Sequence, residues 1–376
     1  MVEKALLVRI CFDKREEEES RSLLEELAEL VATLGIGVVG AQLVRARQTQ
    51  KKFLCGKGKA EEVASQAREL GCDCIVFDNQ LAPNQQREWE EAADMTVIDR
   101  EEIILDIFAR RAQTREARLQ VELARMEYAL PRMARMWGHL DREGGGGSGG
   151  SAAARGMGEQ QIEVDRRMAR KRIDRIKADL AVVRKQRATQ RKERQKAEAP
   201  HAAIVGYTNA GKSTLLNVLS GSEVLEADML FATLDPTTRR VELPDGRDLL
   251  VTDTVGFVRN LPHRLVESFK ATLEEAVLAD FLVHVLDASE PELERLCDTT
   301  LEVMTELGAA DKPVLTVLNK IDLVQDPQRL RALQSQFPEA VSISARSGEG
   351  MDALHHKFVE YLSRAVSRRR YRIPQH

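Results

Sequence analysis

One octapeptide, with a strand before it and a helix after it, constrains this chain more than any other feature. Ala202-Ala203-Ile204-Val205 is a short apolar run of the kind that forms a buried strand. Gly206-Tyr207-Thr208-Asn209-Ala210-Gly211-Lys212-Ser213 then fits GxxxxGK[ST], and Ser213-Thr214-Leu215-Leu216-Asn217-Val218-Leu219 continues as an amphipathic helix. A chain that turns through glycine from strand to helix points successive backbone N–H groups, and the positive end of the helix dipole, at one spot that suits a β-phosphate. Lys212 is placed to bridge the β- and γ-phosphates and Ser213 to ligate Mg²⁺. The loop needs parallel strands with helices between them, so the surrounding residues must form an α/β domain.

Three further stretches lie at predicted strand ends. Leu249-Leu250-Val251-Thr252 runs into Asp253-Thr254-Val255-Gly256. A carboxylate there can hold the outer coordination sphere of Mg²⁺, and Gly256, lacking a Cβ, can bring its N–H to a γ-phosphate. In isolation this tetrapeptide would be an ordinary strand-to-turn transition. Val314-Leu315-Thr316-Val317-Leu318 delivers Asn319-Lys320-Ile321-Asp322. The Asp322 carboxylate only accepts hydrogen bonds, guanine offers paired N1–H and N2–H donors, and adenine would leave the charge unpaired. Lys320 can lay its stem along the base, Asn319 can tie this loop to the first, and Ser344-Ala345-Arg346 would place the Ala345 N–H at guanine O6. Four motifs in this order predict a guanine-nucleotide site.

Composition sets the surroundings. The chain has 376 residues, too many for one hydrophobic core, and is 43% hydrophobic and 31% charged. Five cysteines lack CxxC spacing, which points to reduced thiols in a cytoplasmic setting without a disulfide framework or zinc site. No run of about 18 apolar residues suggests a membrane span. The net charge of −4 conceals an asymmetry, because Arg110 to Pro200 holds 23 Lys/Arg against 12 Asp/Glu, a surplus of +11, and leaves −15 elsewhere. Such a block suits a polyanion, although an arginine-rich solvated helix surface would look the same. Aromatics, at 4%, argue against base stacking as the mode of contact.

Four segments follow. Residues 1–109 alternate short apolar runs (Ala5–Ile10, Gly37–Val44, Cys74–Phe77, Thr96–Ile98) with helical patterns over Arg21–Leu34 and Ala60–Leu70, a small α/β domain. Gly56-Lys57-Gly58-Lys59 could bind phosphate through backbone N–H groups, but it lacks the P-loop spacing and reads first as a turn and helix start. Residues 110–199 carry two heptad stripes, Leu119, Leu123, Met126, Leu130, Met133, Trp137 and Ala169, Ile173, Ile176, Leu180, Val183. They predict a basic antiparallel helical hairpin with a glycine-rich tip over 138–158, of linker-like composition at Gly144–Gly150, and a second arm from Gln160 to Glu198 about 58 Å long. Residues 200–365 form the nucleotide domain, and 366–376 a basic tail around Arg368-Arg369-Arg370.

The motif set resembles the translation-factor class of P-loop GTPases. The resemblance narrows at Phe231-Ala232-Thr233-Leu234-Asp235-Pro236-Thr237-Thr238-Arg239, at Phe257 with Leu261-Pro262-His263, at Ser268-Phe269-Lys270-Ala271-Thr272-Leu273, and at Arg155-Gly156-Met157-Gly158-Glu159-Gln160-Gln161-Ile162-Glu163 leading to Asp165-Arg166-Arg167. Together these resemble the HflX family of ribosome-associated GTPases over essentially the whole chain, although the glycine run is longer than the family's usual tip. The resemblance implies that Thr233 ligates Mg²⁺ when GTP is bound, that Phe231–Asp235 lines the nucleotide, and that Lys212, Thr233 and Gly256 carry the catalysis. Asn209 matches the asparagine that coordinates K⁺ in related GTPases. It also implies binding to the large ribosomal subunit and its rRNA, as a monomer, and separation of stalled or stressed ribosomes into subunits. A GTPase acting in ribosome assembly or RNA modification is the alternative, and a helical scaffold with a degenerate site is disfavoured by the intact motifs.

The position after the DxxG glycine, where Ras-like enzymes place a water-orienting glutamine, is Phe257. The intrinsic rate should be no faster than the roughly 10⁻⁴ s⁻¹ of unassisted Ras, with the partner or K⁺ completing the site.

Overall fold

The computed structural model describes residues 3–133, 152–196, 200–222, 230–231, 233–261 and 275–371. Predicted features at Trp137, Gly144–Gly150, Ala232, Pro262-His263 and Ser268–Leu273 lie outside these residues.

The N-terminal strands form one parallel sheet in the order β2-β1-β3-β4, comprising β1 (Lys4–Cys11), β2 (Gly37–Arg45), β3 (Cys74–Phe77) and β4 (Thr96–Asp99). Helices α1 (Glu17–Thr33) and α2 (Lys57–Glu69) fall where the periodicity placed them. Gly56 precedes the first turn of α2, and Lys57 and Lys59 pair with Glu61 and Glu62 of the same helix. Two more helices, α3 (Pro83–Ala93) and α4 (Arg100–Arg111), were not read from the sequence. In α3 the buried positions include Gln85, Gln86 and Glu90, so hydrophobicity alone does not mark its inner face. Trp89 is fully buried there, packed on Phe53 and Phe77.

Helix α5 (Arg115–Ala129) carries the first heptad stripe and α6 (Ala152–Lys196) the second. Leu123 packs with Ile173, Ile176 and Leu180, flanked by Leu119, Met126 and Leu130, while Arg172 and Lys177 pair with Glu122 and Glu127. Helix α5 ends at Ala129, and residues 134–151 of the predicted hairpin lie outside the described residues. Pro131 removes an N–H and crowds the preceding turn, and Leu130–Arg132 tightens into a 3₁₀ turn. Of the predicted tip over 138–158, residues 152–158 are helical, the helix carrying through Gly156 and Gly158. Arg132, counted in the basic block, is buried, its guanidinium donating to Leu81 O, Gln86 Oε1 and Asp99. It belongs to the core and not to a polyanion-facing surface.

The second sheet has the order β10-β9-β8-β5-β7-β6. Its strands are β5 (His201–Gly206), β6 (Thr237–Glu242), β7 (Asp248–Asp253), β8 (Phe281–Asp287), β9 (Val314–Asn319) and β10 (Val341–Ser342). All pairings are parallel except β6 with β7. The helices are α7 (Lys212–Leu219), α8 (Leu293–Glu306), α9 (Pro327–Gln336) and α10 (Met351–Tyr371). Ile204, Val251, Val283 and Val317 from four neighbouring strands fill the core with Phe358 of α10. Helix α10 runs through Arg368-Arg369-Arg370 to Tyr371, so these arginines extend a helix rather than begin a tail at 366.

Contacts divide the chain into two units, Met1–Arg110 with Arg118–Val182, and Arg111–Ala117 with Val183–His376. In the first, Tyr128 Oη donates to Asp99 and Glu102 at 3.0 and 3.1 Å, and Arg132 lies over the Tyr128 ring, which fixes the end of α5 to β4 and α4.

Candidate active site

The site gathers at the carboxyl ends of β5, β7, β8 and β9, where a doubly wound sheet places its loops. Gly206 closes β5, and the loop reaches α7 through Asn209 and Gly211, both with positive φ (+61° and +86°). A Cβ on Gly211 would stand 2.3 Å from Asn319 Nδ2, so both the backbone and the neighbour demand glycine. Lys212 is buried and its Nζ donates to the Tyr207 carbonyl at 2.6 Å. Ala210 is buried, whereas Asn209 and Thr214 are exposed.

Three oxygen-bearing side chains predicted to hold Mg²⁺ come together. Ser213 Oγ lies 2.7 Å from Thr233 Oγ1 and donates to Asp253 Oδ2 at 2.5 Å. Burial pushes the Asp253 carboxyl above its usual range, against the pull of the Lys212 ammonium and the Ser213 hydroxyl. Asp253 Oδ1 is buried without a hydrogen-bond partner among the described residues. Hydroxyl and carboxylate oxygens with an unused buried lone pair fit a hard divalent cation.

The DxxG segment is locked to the first loop. Phe257 N–H donates to Gly206 O at 3.1 Å and Thr208 N–H to Phe257 O at 2.8 Å, while Thr254 Oγ1 donates to Ile204 O at 2.7 Å. Val255 and the Phe257 ring are buried. A Cβ on Gly256 would lie 2.8 Å from both Lys212 Nζ and Thr208 Cα. Arg259 N–H donates to Tyr207 Oη at 2.6 Å, and its guanidinium pairs with Glu292. The sequence reading missed this second tie.

At the β9 end, Asn319 Nδ2 donates to Ala210 O at 2.9 Å and Asn319 Oδ1 accepts from Ala345 N–H at 3.0 Å. The asparagine therefore holds three loops together, one more than was read from sequence. Ile321 N–H reaches Ile343 O, and buried Ser344 accepts from Ser347 N–H, which sets the Ser344-Ala345-Arg346 turn. Asp322 and Arg346 are exposed. Lys320 Nζ pairs with Asp287 at the end of β8, a residue the sequence reading did not single out.

Within the stretch Phe231–Asp235, Thr233 stands beside Ser213, and Ala232 lies outside the described residues. Phe231, with φ +55°, and Leu234 are buried. Asp235 accepts from Gln113 N–H at 2.9 Å, Thr114 N–H at 3.2 Å and the Thr114 hydroxyl. Its carboxylate is thus committed to the start of α5 within the second unit.

Residues 21–109, 111–194 and 201–320 match three family models, described respectively as "GTP-binding GTPase N-terminal", "GTP-binding GTPase Middle Region" and "50S ribosome-binding GTPase". A protein of Akkermansia muciniphila named GTPase HflX is 60% identical over 382 aligned residues, covering 100% of this chain and 87% of that protein. The chain belongs to the HflX family of GTPases. An HflX GTPase of Escherichia coli is 41% identical, with 99% of this chain and 86% of that one covered. A solved structure described as the SsGBP and GDP complex matches with a TM-score of 0.50 at 24% identity, covering 96% of this chain and 99% of that one, a likeness of fold. As an HflX-family member the chain is a P-loop enzyme that hydrolyses GTP. The family models extend over the N-terminal and middle segments as well, so those segments are part of the family's architecture.

Proposed function

We propose that this HflX-family GTPase is a GTP-driven switch that binds the large ribosomal subunit and its rRNA and separates stalled or stressed ribosomes into subunits, acting as a cytoplasmic monomer. The observation that carries this reading is the two-sided α6 helix. One face packs Ala169, Ile173, Ile176 and Leu180 inward, while Arg167, Arg170, Lys171 and Arg175 are exposed. Guanidinium groups on a rigid rod suit phosphates of folded RNA, and the shortage of aromatics fits contact through backbone and shape. The 50S ribosome-binding description of the GTPase family model supports the same partner. Among the described residues no helix is long and apolar enough to cross a membrane.

The residues divide the work in this reading. Lys212 exchanges the Tyr207 carbonyl for phosphate oxygens, and Ser213, Thr233 and Asp253, whose oxygens meet, would hold Mg²⁺. The ion held there would supply positive charge to the phosphates. Gly256 gives its N–H to the γ-phosphate, and Asp322 and the Ala345 N–H read the base. Phe257, with its ring in the core, cannot orient water, so intrinsic turnover is slow until the partner orders the Thr233 segment, and Asn209 would hold the K⁺ that could instead supply positive charge.

Co-sedimentation with ribosomes in GTP, GDP and a non-hydrolysable analogue, monitoring subunit separation, tests the switch. Binding and splitting are expected with GTP and the analogue and not with GDP, and nucleotide-independent binding would refute it. Capture by free tRNA or immature subunits instead favours the assembly or modification alternative. Raising salt should release the protein steeply as counterions return to the RNA. Turnover compared in KCl and NaCl, with and without ribosomes, tests the two sources of stimulation, and equal rates throughout would remove both.

A further inference from the structure

The base-reading loop contains both a cation and an anion, Lys320 and Asp322, two residues apart. They do not pair. Asp322 is exposed and has no hydrogen-bond or ion-pair partner among the described residues, while Lys320 Nζ lies 2.9 Å from Asp287 Oδ2. Asp287 is the last residue of β8 and stands across the ladder from Asn319, with Ala288 N–H closing on Asn319 O at 2.8 Å. Its other oxygen accepts from Ser289 N–H at 2.9 Å and Ser289 Oγ at 2.5 Å. One carboxylate oxygen is thus fixed by its own turn and the other is presented to the lysine. Both side chains are largely buried, at 22% and 17% exposure, so water screens the pair less than a surface one.

We propose that Asp287 is the positioning residue of guanine recognition, which draws the Lys320 ammonium away from Asp322 so that the Asp322 carboxylate stays free for the base. The anchor does two things. It fixes a long, flexible side chain before the base arrives, so ordering of the stem is not charged to binding. It also removes an internal competitor, since an unanchored ammonium two residues away would pair with the same carboxylate oxygens that guanine N1–H and N2–H must reach. Lys320 has φ +60°, a conformation a lysine adopts only where its surroundings hold it, and the Asp287 pair is one such hold.

The inference rests on reading Asn319–Asp322 as the base loop, so the experiment includes D322A to test that reading separately. Affinity for a fluorescent GDP is measured on the full chain for wild type, D322A, D287A, D287N and the double variant D287A/K320M, with unfolding midpoints confirming that each is folded. D287A is expected to weaken binding about tenfold. D287N retains an oxygen for Ser289 but loses the charge, and should be as weak as D287A. Adding K320M to D287A removes the competing ammonium while keeping an apolar stem, and should recover part of the lost affinity. A D287N variant that binds like wild type, or a double variant no better than D287A, would overturn the proposal and leave Asp287 a turn residue. If D322A binds GDP normally, the base-loop reading fails instead.

Discussion

Asn319 makes the sharpest prediction, because two arms of one amide hold two different loops. The side chain is buried, Nδ2 donating to Ala210 O and Oδ1 accepting from Ala345 N–H. Asn319→Ala removes both bonds, each worth about 1 kcal/mol net, and leaves a buried carbonyl and a buried N–H with part of their desolvation uncompensated, for a total of roughly 2–4 kcal/mol. Asn319→Asp separates the arms. Its carboxylate still accepts from Ala345 N–H, but the other oxygen faces the Ala210 carbonyl, where two acceptors repel. Hydrogen exchange followed by mass spectrometry on peptides covering 343–351, together with fluorescent-GDP binding, reads the two loops apart. In Asn319→Ala the Ala345 amide should exchange about 30-fold faster or more, since roughly 1.4 kcal/mol of lost opening energy is a factor of ten, and GDP affinity should fall. In Asn319→Asp the Ala345 amide should stay protected while GDP affinity falls at least as far as in the alanine variant. Equal exchange in all three proteins, or wild-type affinity in Asn319→Asp, would refute the reasoning.

Three further outcomes are expected. Gly256→Ala puts a methyl 2.8 Å from Thr208 Cα, a backbone atom that cannot swing aside, so GTP turnover should drop by about a hundredfold or more, and turnover within a factor of three of wild type would mean that the DxxG segment yields more easily than its contacts imply. Burial beside Lys212 pushes His284 down to about 4 from the ordinary 6.5, which favours the neutral ring in the fold. Stability should therefore be full above pH 6.5 and fall as pH drops toward 4, by up to about 3 kcal/mol, and His284→Leu should flatten urea-midpoint profiles over that window. Asp235→Ala takes the acceptor from Gln113 and Thr114 at the start of α5, so about 1–2 kcal/mol of local stability should be lost and amides over 113–118 should exchange faster, whereas unchanged exchange would show that the Thr114 hydroxyl alone, 3.1 Å from Ala117 N–H, suffices as cap.

What was legible in the sequence was what needs neighbouring residues only. Gly206–Ser213, Asp253–Gly256 and Asn319–Asp322 each pack a strand end and its chemistry into a few residues, and the structure brings them to one edge of one sheet. The heptad stripes were legible for the same reason, since Leu119–Leu130 and Ile173–Leu180 meet at the predicted spacing. The ends were less legible, as Leu130–Arg132 forms a 3₁₀ turn at Pro131 and residues 152–158, glycines included, are helical. Charge counts did not reveal direction. Arg132 adds to the basic block yet serves a buried network around Asp99, whose carboxyl is pushed up by desolvation while Arg132 pulls it down.

Asp235 and Asp287 resisted the same reading, and for a common cause. Their partners, Thr114 and Lys320, lie far away in sequence, and nothing in the residues around either aspartate points to that partner. Topology supplies what is missing. Once β8 is known to run parallel beside β9, the end of β8 must fall beside the end of β9, and a carboxylate closing one strand must meet the lysine that follows the other. Asp253 occupies the equivalent place on β7, next to β5 and the loop that carries Lys212 and Ser213. A parallel sheet thus turns strand-final aspartates into neighbours of adjacent strand-final loops. Of the two, only Asp253 sits in a motif with a recognisable spacing, whereas Asp287 shows itself only through its pair with Lys320.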